Sequence, residues 1–216
     1  MEIYSTIVRF FQEGGFWMFP IALVAAVGLA VALERYVFLS RSAFTNRKYW
    51  EEVMPVLQGG QYQKAFSATS KSDIAIAKIL NYGLARIKGA RRREDIETAM
   101  EEGLMEMIPR LERRTHYLSA LANIATLLGL LGTIIGLIQA FTAVANANPA
   151  EKAELLSSSI SVAMNTTAFG LMVAIPLLLI SSVLQSKTTQ IVDSLEMASV
   201  KFLNIVTDRA REGSAA

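Results

Sequence analysis

The chain has no cysteine and a single histidine, His116. Without thiols it can form no disulfide, no thiolate metal site and no cysteine nucleophile. One histidine also excludes a metal site built from several imidazoles. The formal net charge is only +2, which gives no electrostatic basis for binding nucleic acid. No set of nucleophile, base and acid is visible either, so we expect neither an enzyme nor a bound cofactor.

Charged residues are missing from two long stretches of the chain, 118–150 and 155–186. A third uncharged run, FWMFPIALVAAVGLAVAL, covers 16–33. A helix needs about 20 apolar residues to cross a bilayer. The run at 16–33 is about this long, and the runs at 118–150 and 155–186 are longer. Because 52% of the residues are hydrophobic and only 19% are charged, the composition indicates a membrane protein with a sizeable wet portion.

The predicted fold is all-α, with three transmembrane helices, two of which extend into a cytoplasmic helical bundle. Apolar residues after Arg93 recur at helical spacing, and we predict that this helix runs straight into the second span, with bends at Gly103 or Pro109. The segment 38–117 holds 14 of the 21 Lys and Arg residues, so the positive-inside rule places it in the cytoplasm. The N-terminus is then periplasmic and the C-terminus cytoplasmic.

The predicted segments are, in chain order, an amphipathic interfacial helix (1–15), the first transmembrane helix (16–37), the cytoplasmic helical region (38–117), the second transmembrane helix (118–144), a periplasmic loop (145–154), the third transmembrane helix (155–186), and a cytoplasmic C-terminal helix and tail (187–216). The first apolar run begins only near Phe16, so we expect no cleavable signal peptide.

The middle of the second span reads LLGLLGTIIGL and contains Gly129, Gly132, Gly136 and Thr133. Glycines at this spacing let another helix approach closely. A threonine in apolar surroundings needs a hydrogen-bond partner, and the simplest one is the carbonyl one turn earlier in its own helix.

The first half of the third span is unusually polar and includes the adjacent residues Thr166 and Thr167. Ala163, Thr167 and Gly170 share a narrow face of small side chains. Two interpretations stay open: the polar halves hold the second and third spans together, or they surround a helix of another protein at mid-depth. Neither span contains a titratable residue, so this chain alone cannot be a proton relay. A partner with its own carboxylate would complete an ion site.

Three segments resemble the signature segments of the MotA/TolQ/ExbB channel family: GGFWMFPIALVAAVGLAVALERYVFL (14–39), LGLLGTIIGLIQAF (128–141) and AMNTTAFGLMVAIP (163–176). The resemblance covers nearly the whole chain, in order and at plausible spacing. Flagellar MotA-type stators have four spans and a larger cytoplasmic domain, so this three-span chain resembles the ExbB and TolQ branch.

The resemblance implies a motor subunit in the bacterial inner membrane. Five copies would enclose the spanning helices of two copies of a single-span ExbD- or TolR-like partner, whose membrane aspartate supplies the missing carboxylate. Ion flow would rotate the pentamer relative to the partner pair and energise an envelope process such as outer-membrane transport or integrity. The hydroxyls of Thr133 and Thr167 would face the aspartate. The residues implied in packing against the partner helix are Gly129, Gly132, Gly136, Ala163 and Gly170.

The chain departs from the ExbB and TolQ pattern at two positions. Val162 stands where those proteins often have a glutamate, so any role of that glutamate in proton passage is absent. Thr166 precedes Thr167 where many of them have a small apolar residue, and the pair resembles the sodium-driven flagellar stators. The transported ion is therefore H⁺ or Na⁺. We expect no permanent metal, and the sodium alternative is a transient site at Thr133, Thr166 and Thr167.

Two other functions compete with the motor. One is a passive membrane scaffold that only positions a partner protein. The other is a small-solute export permease, which needs a roomy binding site that three spans hardly provide. A pentamer that co-purifies with a single-span acidic partner would distinguish the motor from both.

The predicted topology can be tested in the naturally cysteine-free chain. Ser67→Cys lies in the basic segment and Asn148→Cys in the short loop, so a membrane-impermeant maleimide added to intact cells should label only Asn148→Cys. The unmodified chain is the control and should take up no label. Labelling of both variants from outside would contradict the orientation.

Overall fold

The structure of the chain is a computed structural model that describes residues 14–87, 89–90 and 92–215, with side chains to residue 209 in the last helix. The interfacial helix predicted at 1–15 falls almost entirely outside these residues and stays a prediction. Regular structure in the described part of the chain is helical throughout. The helices are α1 (Met18–Gln58), α2 (Tyr62–Thr69), α3 (Ala75–Arg86), α4 (Arg93–Glu112), α5 (His116–Ala145) and α6 (Lys152–Ala215).

Three helical stretches are long and apolar enough to cross a membrane, and they lie within Met18–Gln58, Arg93–Ala145 and Lys152–Arg209. The all-helical fold with three candidate spans is therefore confirmed. α6 has 64 residues, which at about 1.5 Å each makes it about 96 Å long, three times a hydrocarbon layer. α1 has 41 residues and also continues well beyond its apolar part.

The chain divides into two compact units. The unit we call apolar comprises Met1–Glu34 and Arg114–Val183, and the unit we call polar comprises Arg35–Arg113 and Leu184–Ala216. Both α1 and α6 contribute residues to each unit.

The helical stretch that leads to the second span is interrupted at residues 113–115. α4 ends at Glu112, α5 begins at His116, and between them Arg114 has a φ of 67°. This is the left-handed region, where a Cβ atom crowds the backbone and a regular helix cannot continue. The helix predicted to run straight into the second span is therefore broken at this joint.

The two positions at which the sequence predicts a bend, Gly103 and Pro109, both lie within α4, before the break. Pro109 lacks an N–H, but its own carbonyl accepts the N–H of Arg113 at 3.1 Å, so the helix passes the proline by one turn. Gly103 serves packing: a Cβ there would lie 3.2 Å from the Cα of Ile79. The glycine thus allows α3 to lie close against α4.

The polar unit has an apolar core built from α1, α3, α4 and α6. A Cβ on Gly83 would lie 2.8 Å from atoms of both Met100 and Phe202, which shows how tightly α3 fits between α4 and α6. Its largest fully buried side chains are Leu39, Leu57, Ile76, Ile79, Leu80, Met100, Leu184, Leu195 and Phe202.

Asn46 is a buried polar residue of α1 that caps α3. Its Oδ1 accepts the N–H of Ile76 at 2.9 Å, and its Nδ2 donates to the Ser42 carbonyl at 2.9 Å. The first N–H groups of a helix have no partner within the helix. Asn46 therefore satisfies a donor at the start of α3 and fixes this helix to α1.

Arg35 plays the corresponding part at the end of α4. It is 3% exposed, its guanidinium donates to the Leu111 carbonyl, and it lies 4.6 Å from the centre of the Phe38 ring. The last carbonyls of a helix lack partners and carry partial negative charge, so a buried cation is stabilised there.

The cap provided by Asn46 should contribute measurably to stability. Asn46→Ala removes the acceptor for the Ile76 N–H, and loss of such a cap costs about 1 kcal/mol. Thermal unfolding of the detergent-solubilised chain should therefore occur at a lower temperature. Ser42→Ala is the control, because it removes only the Ser42 hydroxyl that accepts from Asn46 Nδ2 at 3.1 Å and leaves the cap on Ile76 in place. A Ser42→Ala variant as unstable as Asn46→Ala would contradict the capping role.

Candidate ion site between the second and third spans

The second and third spans, α5 and α6, touch through their backbones. A Cβ on Gly170 would lie 2.7 Å from the Ala125 carbonyl oxygen and 3.0 Å from the Cα of Gly129. A Cβ on Gly129 would lie 3.2 Å from the Cα of Thr167. Backbone atoms cannot move aside as a flexible side chain can, so this contact requires glycine on both helices.

The close contact brings two threonine hydroxyls to one carbonyl. The hydroxyl of Thr133 donates to the Gly129 carbonyl at 3.1 Å, and the hydroxyl of Thr167 lies 2.9 Å from the same oxygen. The two hydroxyls also hydrogen-bond to each other. We call these oxygens the oxygen cluster. Thr133 thus makes the bond to its own helix that the sequence suggested, and joins Thr167 as well.

The oxygen cluster can accept further hydrogen bonds but carries no formal charge. Each hydroxyl has one proton and two lone pairs, and the protons are used within the cluster. Lone pairs that remain can accept a proton donor or contribute to the coordination of a cation. Thr133 and Thr167 are both partly exposed, so a group outside this chain can reach them. No Asp, Glu, Lys, Arg or His lies in 118–150 or 155–186, so these two spans bring no titratable group to the cluster.

The position of the cluster along the spans follows from its neighbours. A Cβ on Gly132, next to Thr133, would lie 3.2 Å from the Cβ of Trp17, so the cluster lies level with the beginning of α1. At the other end of the apolar unit, Arg114 pairs with Glu34 at 3.7 Å. Thr133 lies near the middle of α5, which runs from His116 to Ala145. The mid-depth position of the cluster in the membrane stays a prediction.

Thr166 lies beside the cluster in sequence but takes no part in its hydrogen bonds. Its hydroxyl donates to the Gly14 carbonyl at 2.8 Å and lies 3.0 Å from the Val162 carbonyl. The residue is only 2% exposed. Of the three threonines predicted to form the ion pathway, the structure brings together Thr133 and Thr167 and turns Thr166 toward the start of α1.

The small residues predicted to pack on a partner helix contact this chain's own helices. A Cβ on Gly136 would lie 2.9 Å from the Cβ of Ala163, and one on Gly132 would lie 2.5 Å from Cγ2 of Thr166. Together with Gly129 and Gly170, they form the interface between α5 and α6. Their packing against a partner helix stays a prediction.

Four polar groups of the apolar unit were not predicted from the sequence. They are the carbonyls of Gly129 and Gly14, which are invisible in a side-chain pattern, and a pair of serines, Ser119 and Ser181, whose hydroxyls lie 2.8 Å apart across α5 and α6. Ser181 is 1% exposed. The serine pair had one usable signal: both serines are hydroxyls within otherwise apolar stretches and therefore need partners.

Most of the surface of the three spans is uncovered within one chain. In the most apolar stretch of each span, only 22% to 28% of the residues are buried. Large side chains such as Leu127, Ile138, Leu171 and Leu179 are exposed. An apolar surface of this extent requires lipid or other protein against it.

Comparison with known proteins gives a consistent family. The model of the MotA/TolQ/ExbB proton channel family matches residues 71–197. A putative biopolymer transport protein, ExbB homolog, of Methanothermobacter thermautotrophicus is 29% identical over 91% of this chain and 69% of its own length. The putative biopolymer transport protein ExbB-like 1 of Synechocystis is 32% identical over 85% of this chain and 72% of its own. The Tol-Pal system protein TolQ of Haemophilus influenzae is 35% identical over 43% of this chain and 37% of its own.

The interface between α5 and α6 predicts a sharp difference between two glycines. Gly170→Ala places a methyl group against the Ala125 carbonyl and the Gly129 backbone, and overpacking of this kind costs about 1–3 kcal/mol. Gly28→Ala is the matched control, because its Cβ would meet only side-chain atoms of Leu177 at 2.8 Å, which can shift. Thermal unfolding in detergent should show the larger loss for Gly170→Ala. Equal stability of the two variants would contradict the backbone contact.

Proposed function

Because this chain belongs to the MotA/TolQ/ExbB proton channel family, we propose that it is the channel subunit of an ion-driven motor in the inner membrane. The observation that carries the proposal is the oxygen cluster, which is partly exposed and lies between two spans, the second and the third, that contain no titratable group. Such a cluster is suited to a carboxylic acid brought by another protein.

The partner that fits is an ExbD- or TolR-like protein with one spanning helix and an aspartate within the membrane. We propose that five copies of this chain surround two copies of the partner. The exposed apolar faces of α1, α5 and α6 would then be divided between lipid, neighbouring copies and the partner helices. The carboxyl group would meet Thr133 and Thr167 of one subunit after another as the pentamer turns.

The cluster's part in transport follows from its lone pairs. A protonated carboxyl group can donate to a threonine hydroxyl, which lowers the cost of holding the neutral acid in the membrane. After the proton leaves, the carboxylate can accept hydrogen bonds from the same hydroxyls, which can reorient. Each subunit would then offer hydrogen-bonding partners to both the protonated and the ionised carboxyl group. A charge that crosses 100 mV supplies about 2.3 kcal/mol, and this energy would drive the rotation.

Sodium is the alternative ion. It would require several oxygen ligands at once, and the two hydroxyls and one carbonyl of the cluster together with a partner carboxylate would contribute to such a shell. The membrane potential acts equally on either ion, so energetics do not distinguish them.

In the cell, we propose that the segment 38–117 and the C-terminus are cytoplasmic and the N-terminus periplasmic. Two of the similar proteins are named biopolymer transport proteins and one belongs to a Tol-Pal system. The motor would therefore energise an envelope process of this general kind, such as transport across the outer membrane or envelope integrity.

A passive scaffold is the second candidate, and one observation favours it. The hydroxyls of Thr133 and Thr167 bond within the chain, as they would if they only held α5 to α6. A scaffold needs the shape of these residues but not their reaction with an ion, and this difference can be measured.

Thr133→Val and Thr167→Val separate the two functions. Valine keeps the shape and removes the hydroxyl, so the complex with the partner should assemble while ion-driven activity falls by about tenfold or more, the loss expected for a hydrogen bond to a charged group. The control is Thr142→Val, since the exposed Thr142 donates only to Ile138 at 2.8 Å and should keep full activity. The measurement is ion flux through the reconstituted complex at fixed membrane potential.

The same assay identifies the ion when potassium replaces sodium. Full flux without sodium would remove the sodium alternative, and collapse of flux would remove the proton. Assembled valine variants that keep full flux would contradict the oxygen cluster as the ion site. Absence of ion flux through the unmodified complex would favour the scaffold.

A further inference from the structure

The start of α1 is anchored to α6 by a buried hydrogen bond. Residues 14–17 form a turn before α1, in which the Met18 N–H reaches the Gly15 carbonyl at 3.3 Å and Gly15 has a φ of 73°. The Gly14 carbonyl of this turn accepts the hydroxyl of Thr166 at 2.8 Å. We call these four residues the entry turn.

Apolar contacts surround this hydrogen bond on both sides. A Cβ on Gly15 would lie 3.4 Å from Cγ1 of Val162, and one on Gly132 would lie within 3.2 Å of both Thr166 and Trp17. Met18, immediately after the turn, is 0% exposed. A carbonyl in these surroundings that lost its donor would pay the full penalty of a buried, unpaired polar group.

Thr166 is therefore held on three sides. Its hydroxyl meets the Gly14 and Val162 carbonyls, and its methyl group lies against Gly132. Neighbouring residues of a helix point about 100° apart. With Thr166 fixed toward the entry turn, Thr167 is directed toward the Gly129 carbonyl.

We propose that Thr166 is a positioning residue: its hydroxyl anchors the entry turn, and this contact sets the rotation of α6 that brings Thr167 to the oxygen cluster. The proposal gives Thr166 a role that differs from the ion ligand suggested by the adjacent threonine pair. As far as ion flux is concerned, it rests on the proposed function. The anchoring itself does not, and can be measured separately.

Three variants of the full-length chain, purified as the complex with its partner, test the proposal. Thr166→Val keeps the shape and removes the hydroxyl, and Thr166→Ser keeps the hydroxyl and removes the methyl group. Thr142→Val is the matched control, because it also removes a hydroxyl that bonds back to its own helix. Hydrogen exchange of the backbone amides of residues 14–19 reports on the entry turn, and ion flux as a function of ion concentration reports on the site.

We expect Thr166→Val to exchange about tenfold faster at residues 14–19, the factor that corresponds to a lost buried hydrogen bond. Its maximal flux should fall severalfold, with the half-saturating ion concentration unchanged. Thr166→Ser should restore both the slow exchange and the flux, and Thr142→Val should match the unmodified complex.

Two results would overturn the proposal. Unchanged exchange in Thr166→Val would contradict the anchoring role. If the half-saturating ion concentration also shifted, Thr166 would be an ion ligand instead. Fast exchange in Thr166→Ser would show that the methyl contact, and not the hydroxyl, holds the turn, and this result applies even where the valine variant does not assemble. If Thr133→Val and Thr167→Val kept full flux, the proposed ion site would be wrong. The exchange result for Thr166 would still test the anchoring.

Discussion

The backbone contact between Gly129 and Gly170 is the constraint on which the apolar unit depends. A Cβ on either residue would come within about 3.3 Å of the other helix's Cα, so no other amino acid fits without separating α5 from α6. Because the helices meet this closely, two short side chains, Thr133 and Thr167, reach one carbonyl. The glycines therefore provide the geometry, and the threonines provide the chemistry.

In the apolar unit, buried polar groups hydrogen-bond to one another, while most of the outer apolar surface is uncovered. Inside, hydroxyls bond to carbonyls or to each other, as in the pair of Ser119 and Ser181. Outside, most of each span is uncovered. Such a surface requires lipid or other protein against it, and the second and third spans bring no titratable group of their own.

In the polar unit, buried polar side chains of α1 hydrogen-bond to the end groups of two other helices. Asn46 supplies an acceptor to the start of α3, and Arg35 supplies a donor to the end of α4. The end groups of a helix lack partners within that helix, so these two residues of α1 fix the start of α3 and the end of α4 to α1.

The sequence alone determined the number of spans, the helical class and the family, because long uncharged runs and glycine-rich segments are local features that can be read directly. It also determined that no acid or base lies in the second and third spans. Only the tertiary structure decided which threonines meet. Thr166 and Thr167 are adjacent in sequence and equivalent in chemistry, yet one faces Gly14 and the other Gly129. The acceptors are backbone carbonyls, distant in the chain and absent from any side-chain pattern, so only the packing of α1, α5 and α6 could assign them.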